Sequence, residues 1–376
     1  MNNLAILSPS RFEESETFIQ SHKKEIKANV FYYYGGVVPH YLEGYGLVTI
    51  DRSCLRQPQQ IIRQLLTINL LGLINSKLNI IEYMLAKSLK RNKINVVLAE
   101  YGYTAASVVN VCKYAKIPLV AHFHGRDSSI YNLLEEYKDK YKQLFNYCKF
   151  VVVSHAMERK LVSLGCPQEK IVYAPCVPDF AFYQIRPRFA KRQFFSIGRF
   201  VDKKAPYATL LAFRKVLENH KDAKLIMAGD GPLLPTCRNL AHILGLEGSV
   251  FFPGILKQKD TMVYLEESLA FVQHSIIAAD GDMEGTPVAV MEASAAGLPV
   301  ISTRHAGIPE IIVDGETGLL CDELDADSMA ENMMKIIDDE KLAVDMGRRG
   351  KERMCRTFSK EWQIQTLTDT INKAAY

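Results

Sequence analysis

One repeated alternation constrains this chain more than any other feature. Short apolar runs, each closed by a turn residue or polar loop, are separated by segments with helical spacing. In the first half the runs are "LAILSPS", "VFYYYGG", "INVVLAE", "IPLVAHFHG", "FVVVS" and "KIVYAP". A second series reads "FFSIG", "KLIMAGDG", "VFFPG", "LAFVQHS", "PVIST" and "TGLLC". Strands alternating with helical patterns argue for βαβ units and parallel sheets. Between the two series, "PCVPDFAFYQIRPRFAKRQ" has no clear period and reads as a linker. The 376 residues suffice for two domains with separate cores. The expectation is an α/β protein of two parallel-sheet domains, residues 1–180 and 190–358, facing across a cleft with a hinge near 178–192. The last helical pattern, 359–376, carries Trp362, Ile364, Leu367 and Ile371 and is expected to return to the first domain.

Composition narrows the function classes. The eight cysteines form no C-x-x-C pair and sit mostly in apolar settings, which favours reduced packing cysteines over disulfides or zinc. No signal peptide is readable, and no apolar run approaches the roughly 18 residues of a spanning helix. A cytoplasmic protein is therefore expected. The net charge of +4 hides an asymmetry. Residues 1–185 carry 22 Lys and Arg against 15 Asp and Glu, while the remainder carries 24 against 27. Within 56–93, Arg56, Arg63, Lys77, Lys87, Lys90, Arg91 and Lys93 face only Glu82 and flank "IIRQLLTINLLGLIN". Such a stretch can lie on an anionic membrane, here the inner face of the cytoplasmic membrane; ordinary half-buried helices with solvated lysines are the competing reading.

Chemistry concentrates in "DGDMEGTPVAVMEASAAGLPV", residues 280–300. Thr286 can cap a helix with Pro287 at its first position, running to about Ala296 with Gly297 just past the end. The first turn then offers free backbone N–H groups and a positive dipole end to a phosphate. Glu284 precedes that anion site. Glu292 shares a face with Val288 and Ala295, where a carboxylate needs either a sugar diol or a buried cation as partner. In "SIGRFVDKKAP" a strand ends at Gly198, and Arg199 and Lys204 can converge on a diphosphate. Lys203 is expected in solvent. In "VAHFHGRD" the strand alternation puts His122 and His124 on one face; His122 reads as a core histidine and His124 sits at the strand end. Asp127 either fixes the loop or contacts substrate. Ser15 or Thr17 in "SETFI" can cap the next helix. Two patterns mislead. "DGD" at 280–282 and "DAD" at 325–327 resemble a metal-binding pair, yet Arg199, Lys204 and a helix terminus already supply positive charge, so no metal is expected. "GDGP" at 229–232 is too short for a dinucleotide fingerprint.

Taken in order, "SETFI", "FHGRD", "VSHAMERKLVSLGCPQEKI", "SIGRFVDKKAP", "AGDGPLL", "VFFPG", "EGTPVAVME", "HAGIPEII" and "DGETGLL" resemble the retaining, nucleotide-sugar-dependent glycosyltransferases of family four. The resemblance covers nearly the whole chain and implies the GT-B fold of two Rossmann-like domains. "SETFI" and the "DGD" before "MEG" resemble a subgroup acting in bacterial exopolysaccharide, capsule and lipopolysaccharide assembly. By that resemblance a hexosyl unit passes from a nucleoside-diphosphate sugar to an acceptor hydroxyl on a saccharide or lipid-linked saccharide. Arg199 and Lys204 would neutralise the departing diphosphate, Glu284 would hold donor-sugar hydroxyls, Glu292 the ribose, and His124 the sugar near its reacting carbon. Gly198, Gly285, Thr286 and Val288 would border the donor phosphates, Gly254 and Ile255 the base, and Glu16 and Thr17 the phosphates or acceptor. The family has no cofactor beyond its sugar donor. Other functions open to the same fold are a phosphorylase, a nucleotide-sugar epimerase, or a non-catalytic nucleotide-sugar-binding protein. The chain departs from the family at "APCVPD", which leaves the role of Asp179 open.

Overall fold

A computed structural model describes residues 2–11, 17–49 and 70–375. It divides the chain into two compact units: Met1–Val153 with Met157–Ala174 and Gln363–Tyr376, and Pro175–Trp362 with Ser154–Ala156.

In the first unit the described strands are β1 (Asn3–Ser8), β2 (Asn29–Tyr34), β3 (Tyr41–Leu42), β4 (Gly46–Leu47), β5 (Val96–Glu100), β6 (Leu119–His122), β7 (Lys149–Val152) and β8 (Ile171–Tyr173). They form one sheet in the order β4-β3-β2-β1-β5-β6-β7-β8. Pairing is parallel from β2 through β8, and the β3–β4 ribbon adds antiparallel to β2. The sequence pattern misses this ribbon because two-residue strands carry no period. Leu4, Ala5, Ile6 and Leu7 of β1 and Val96 to Ala99 of β5 are fully buried, as strands covered by helices on both faces must be. The C-terminal helix Lys360–Ala375 places Leu367 and Ile371 in the same core as Leu4, Ile6 and Leu98. Trp362, by contrast, is 39% exposed and lies outside that packing.

The second unit is a six-stranded, wholly parallel sheet: β9 (Gln193–Ile197), β10 (Lys224–Ala228), β11 (Val250–Gly254), β12 (Ala270–Gln273), β13 (Val300–Thr303) and β14 (Gly318–Cys321), in the order β11-β10-β9-β12-β13-β14. Its core joins Phe194, Leu225 and Met227 from strands to Phe213 of the helix Pro206–Asn219 and to Met329, Met333 and Ile336 of the helix Ala326–Asp338. Burying each such side chain contributes about 1.5–3 kcal/mol.

Strand order decides where ligands can bind. The chain runs from β9 outward through β10 and β11, then returns to the other side of β9 and continues through β12, β13 and β14. Between β9 and β12 the order reverses, and the strand ends at such a switch point form a natural crevice. In the first sheet the reversal falls between β1 and β5. Gly198 follows β9 and Gln273 ends β12, so the motif "SIGRFVDKK" leaves the sheet at the switch point. The "GDG" pattern has its purpose here. Gly229 has φ +124°, and a Cβ on it would stand 1.9 Å from the Gly198 carbonyl oxygen. Only glycine lets the β10 loop pack this closely against the β9 loop.

Candidate functional site

Lys204 anchors the site in the second unit. Its loop leaves β9 through Gly198, Arg199 and Phe200 and makes a single 3-10 turn over Asp202–Lys204 before the helix from Pro206. The Lys204 Nζ donates to Gln273 Oε1 at 3.1 Å and stands 3.0 Å from Glu284 Oε1. A pocket lined by Gly198, Arg199, Lys204, Pro206, Thr209 and Gln273 opens at this point. Arg199 is exposed, and its side chain makes no hydrogen bond or ion pair among the described residues. Burial lowers the Lys204 ammonium, and the Glu284 charge works against that fall. Burial alone would raise the Glu284 carboxyl, but the charges of Lys204 and Lys203 overcome it and bring it down to about 2. Both groups are ionised at neutral pH.

The expectation for Lys203 is corrected. It is buried, with its Nζ 3.0 Å from Asp282 Oδ1 and donating to the Met283 carbonyl at 3.4 Å. Adjacent lysines thus clamp alternate residues of the "DGDMEG" loop, Asp282 and Glu284. The pairing accounts for an acidic residue that sequence alone presents as a metal ligand: Asp282 balances a buried cation.

A second tether comes from His305. The Glu284 backbone N–H donates to His305 Nε2 at 3.1 Å, so this nitrogen is unprotonated and Nδ1–H faces Glu323 Oε1 at 2.6 Å. Two residues on, the Gly307 N–H donates to the Gly285 carbonyl at 3.1 Å. His305 lies in the "HAGIPEII" motif but carries no sequence signal of its own role; a histidine holding a distant backbone amide is visible only in three dimensions.

The helix after this loop spans Val288–Ala296 and ends at Gly297 in the left-handed conformation. Its start differs from expectation. Pro287, at φ −69° and ψ 114°, occupies the cap position, and no side chain caps the helix. Thr286 lies one residue outside and is buried. The helix therefore begins one position later, and its first amides, which have no acceptor within the helix, follow directly on Gly285 and Thr286. Glu292 is half-buried on this helix, with no hydrogen bond or ion pair among the described residues. Burial, with a contribution from Asp179, pushes its carboxyl up to about 8. No buried cation satisfies it. Asp179 itself caps the short helix Phe180–Tyr183, accepting from the Ala181 N–H at 2.9 Å. Gly254 ends β11 at φ +78° and accepts from the Gly229 N–H at 2.8 Å, and Ile255 beyond it is 61% exposed.

The remaining assignments fall in the first unit. His124 follows β6, and its ring lies against Phe18 at 4.3 Å, tilted by 31°, and meets Tyr101 edge-on at 4.8 Å. Asp127 is fully buried and fixes this loop: it accepts from the Gly102 N–H at 2.7 Å and the His124 N–H at 2.9 Å. Glu16 and Ser15 lie outside the described residues, and Thr17 begins the helix Thr17–Glu25. Of the basic stretch 56–93, residues 56–69 also lie outside them. Lys77, Lys87, Lys90, Arg91 and Lys93 are exposed.

Comparison with known proteins identifies the family and the fold. The model for glycosyl transferases group 1 matches residues 183–353, and that for Glycosyltransferase Family 4 matches 61–181. The amylovoran biosynthesis glycosyltransferase AmsK of Erwinia amylovora is 30% identical over 311 residues, which is 81% of this chain and 76% of that protein. The chain belongs to the GT-B glycosyltransferases. Its two parallel sheets superpose on HepE of Anabaena, solved with UDP-glucose, at a TM-score of 0.76 with 14% identity, covering 99% of this chain and 100% of that one. They also superpose on sucrose-phosphate synthase of Thermosynechococcus elongatus, at a TM-score of 0.73 with 15% identity and 99% of each chain. This glycosyltransferase has relatives named for the biosynthesis of amylovoran and of colanic acid. No helix among its described residues is long and apolar enough to cross a membrane.

The two carboxylates give opposite pH signatures. Glu284 has a depressed folded value, so its stabilisation is present above its unfolded value of 4.5 and is lost as pH falls toward about 2. Glu292 has a raised folded value, so stability falls as pH rises from 4.5 to about 8, by at most about 1.4 kcal/mol per pH unit. Denaturant midpoints of Glu292→Gln between those values are expected to lose that decline, while Glu284→Gln loses the acid-side one. A wild-type slope unchanged in Glu292→Gln would contradict the environment described for Glu292.

Proposed function

We propose that this glycosyltransferase transfers a hexosyl unit, with retention of anomeric configuration, from a nucleoside-diphosphate sugar to a hydroxyl of a saccharide or lipid-linked saccharide. The observation that carries the reading is the Lys204–Glu284 pair at the switch point, with the Arg199 side chain unpaired beside it and helix amides beginning four residues past Glu284, at Val288. Cations and amides suit a diphosphate, and a carboxylate held among them suits sugar hydroxyls. HepE, of the same fold, binds UDP and UDP-glucose, and AmsK is named for exopolysaccharide synthesis, which supports the donor and acceptor classes.

In the reaction the bond between the anomeric carbon and the diphosphate oxygen breaks, and the acceptor oxygen bonds to that carbon on the same face. The acceptor proton passes to the departing phosphate. Negative charge grows most on the leaving diphosphate, so fixed positive groups there lower the barrier more than they tighten the ground state. Lys204, Arg199 and the Val288–Ala296 helix start fill that role, with Gly198, Gly285, Thr286 and Val288 lining the phosphates. Glu284 accepts from the sugar hydroxyls. Glu292, half-buried without a cation, accepts from the ribose, and Gly254 and Ile255 border the base. From the first unit, the resemblance gives His124 the sugar, and Glu16 and Thr17 the phosphates or acceptor. No metal is proposed, since positive side chains supply the charge.

Arg199→Ala is the cleanest test because the Arg199 side chain makes no hydrogen bond or ion pair among the described residues that the substitution would break. Losing a charge-assisted hydrogen bond of about 1.5–3 kcal/mol weakens nucleoside-diphosphate binding by about 10- to 150-fold. Glu284→Gln is expected to keep nucleoside-diphosphate affinity within a few-fold and lose transfer. Unchanged affinity in Arg199→Ala, or an inverted product anomer, would refute the reading.

The exposed bases of the Ile80–Arg91 helix are proposed to touch an anionic membrane surface. Two are partly engaged, Lys90 over the Tyr114 ring at 4.2 Å and Arg91 over Tyr45 at 4.7 Å. Flotation with anionic vesicles is expected at low salt and lost at high salt; protein left at the bottom of the gradient at low salt would contradict it.

A further inference from the structure

At the switch point of the first sheet lies a cluster that the transfer reaction leaves unused. Glu100 ends β5, directly beside β1, and is fully buried. Its Oε1 is 2.9 Å from His22 Nδ1, and its Oε2 is 2.8 Å from His124 Nε2 and 3.3 Å from His122 Nδ1. Three imidazoles from three elements therefore surround one carboxylate: His22 on the Thr17–Glu25 helix, His122 at the end of β6, and His124 in the loop beyond.

Charge settles the proton positions. Burial would raise the Glu100 carboxyl, but the His22 charge, the nearby His122 ring and the hydrogen bonds with His124 and His22 outweigh it and hold the carboxyl well below its ordinary value. Glu100 is thus an anion and can only accept. His22 Nδ1 and His124 Nε2, both at hydrogen-bond distance, must each donate. Burial drives His122 down to about 3, so it is neutral, and neither of its ring nitrogens makes a well-formed hydrogen bond. His124 is held in place by its neighbours: Phe18 and Tyr101 pack its ring, the His122 ring lies 4.2 Å away, and Asp127 takes its backbone N–H. Its side chain is only 6% exposed.

We infer that Glu100 is a positioning residue for His124: it fixes the ring with the proton on Nε2, leaving Nδ1 as the nitrogen that can accept from a sugar hydroxyl. The inference rests on the proposed assignment of His124 to the donor sugar. A histidine free to exchange tautomers would present Nδ1 as a donor part of the time; one locked by a buried anion presents it only as an acceptor and bears added electron density beside a carbon that gains positive charge. A second use of the cluster competes with this one. The ligand atoms of His22, Glu100 and His122 lie within 4.8 Å of one another, close enough to hold a cation such as zinc.

Long-range proton–nitrogen spectra of the full chain, with His124 assigned through His124→Gln, test the tautomer without reference to activity. His124 is expected to carry its proton on Nε2. Glu100→Gln, whose amide can both donate and accept, is expected to mix the tautomers and lower kcat at least 10-fold, with nucleoside-diphosphate Kd changed less than 2-fold. Glu100→Asp is expected to restore part of both. A wild-type His124 protonated on Nδ1 overturns the inference whether or not the variants fold, as does Glu100→Gln with unchanged spectrum and kcat. One equivalent of zinc retained by the purified protein through chelation also overturns it, by making the cluster a metal site. A wild type that transfers no sugar while His124 carries Nε2–H removes the functional reading instead and leaves the hydrogen-bond geometry standing.

Discussion

The second unit depends on an ion pair taken largely out of water. Lys204 and Glu284 come from loops 80 residues apart in the chain and meet at the end of the β9–β12 strand pair. Each charge would be costly alone, and the loss of either partner strands the other, at about 3–5 kcal/mol. The pair therefore locks two loops together and simultaneously holds a cation and a carboxylate ready in a pocket. The diphosphate sugar proposed as donor would offer both groups partners: phosphate oxygens for the ammonium and hydroxyls for the carboxylate. Lys204 and Glu284 thus satisfy each other's charge, and a ligand of that chemistry would take over these contacts.

Rigidity around the pair comes from neighbours that never need to touch a ligand. Lys203 and Asp282 repeat the same contact one step away, His305 holds the Glu284 amide, and Gly229 lets the β10 loop press on the β9 loop. The first unit uses the same design at its own switch point with the charges inverted, one buried carboxylate among three imidazoles instead of one buried ammonium beside acids. In both sheets the strand order opens a crevice, and the buried charges there, Lys204 and Glu284 in one and Glu100 in the other, each face a partner.

Much of this was legible in the sequence. The twelve parallel strands announce themselves as apolar runs closed by glycine or a polar turn, because a strand buried on both faces has no choice of residue type. The Val288–Ala296 helix and its Gly297 end were equally plain, since a left-handed terminus favours glycine. The β3–β4 ribbon was not, being too short for a pattern. Nor was the helix start, where Pro287 suits either the cap or the first turn and only the backbone angles decide. Lys203 and Lys204 are adjacent and chemically identical in the sequence. Their separate partners, Asp282 and Glu284, depend on a 3-10 turn that points the two side chains at alternate residues of another loop. His22, Glu100 and His124 likewise meet only after β1, β5 and β6 align.

The most direct measurement is a structure of this glycosyltransferase crystallised with a nucleoside diphosphate. The account predicts phosphate oxygens within about 3 Å of Lys204 Nζ and of the Arg199 guanidinium, with the Val288 end of the helix facing them. A diphosphate bound elsewhere, with the Lys204–Glu284 contact undisturbed and Arg199 still in solvent, would contradict it.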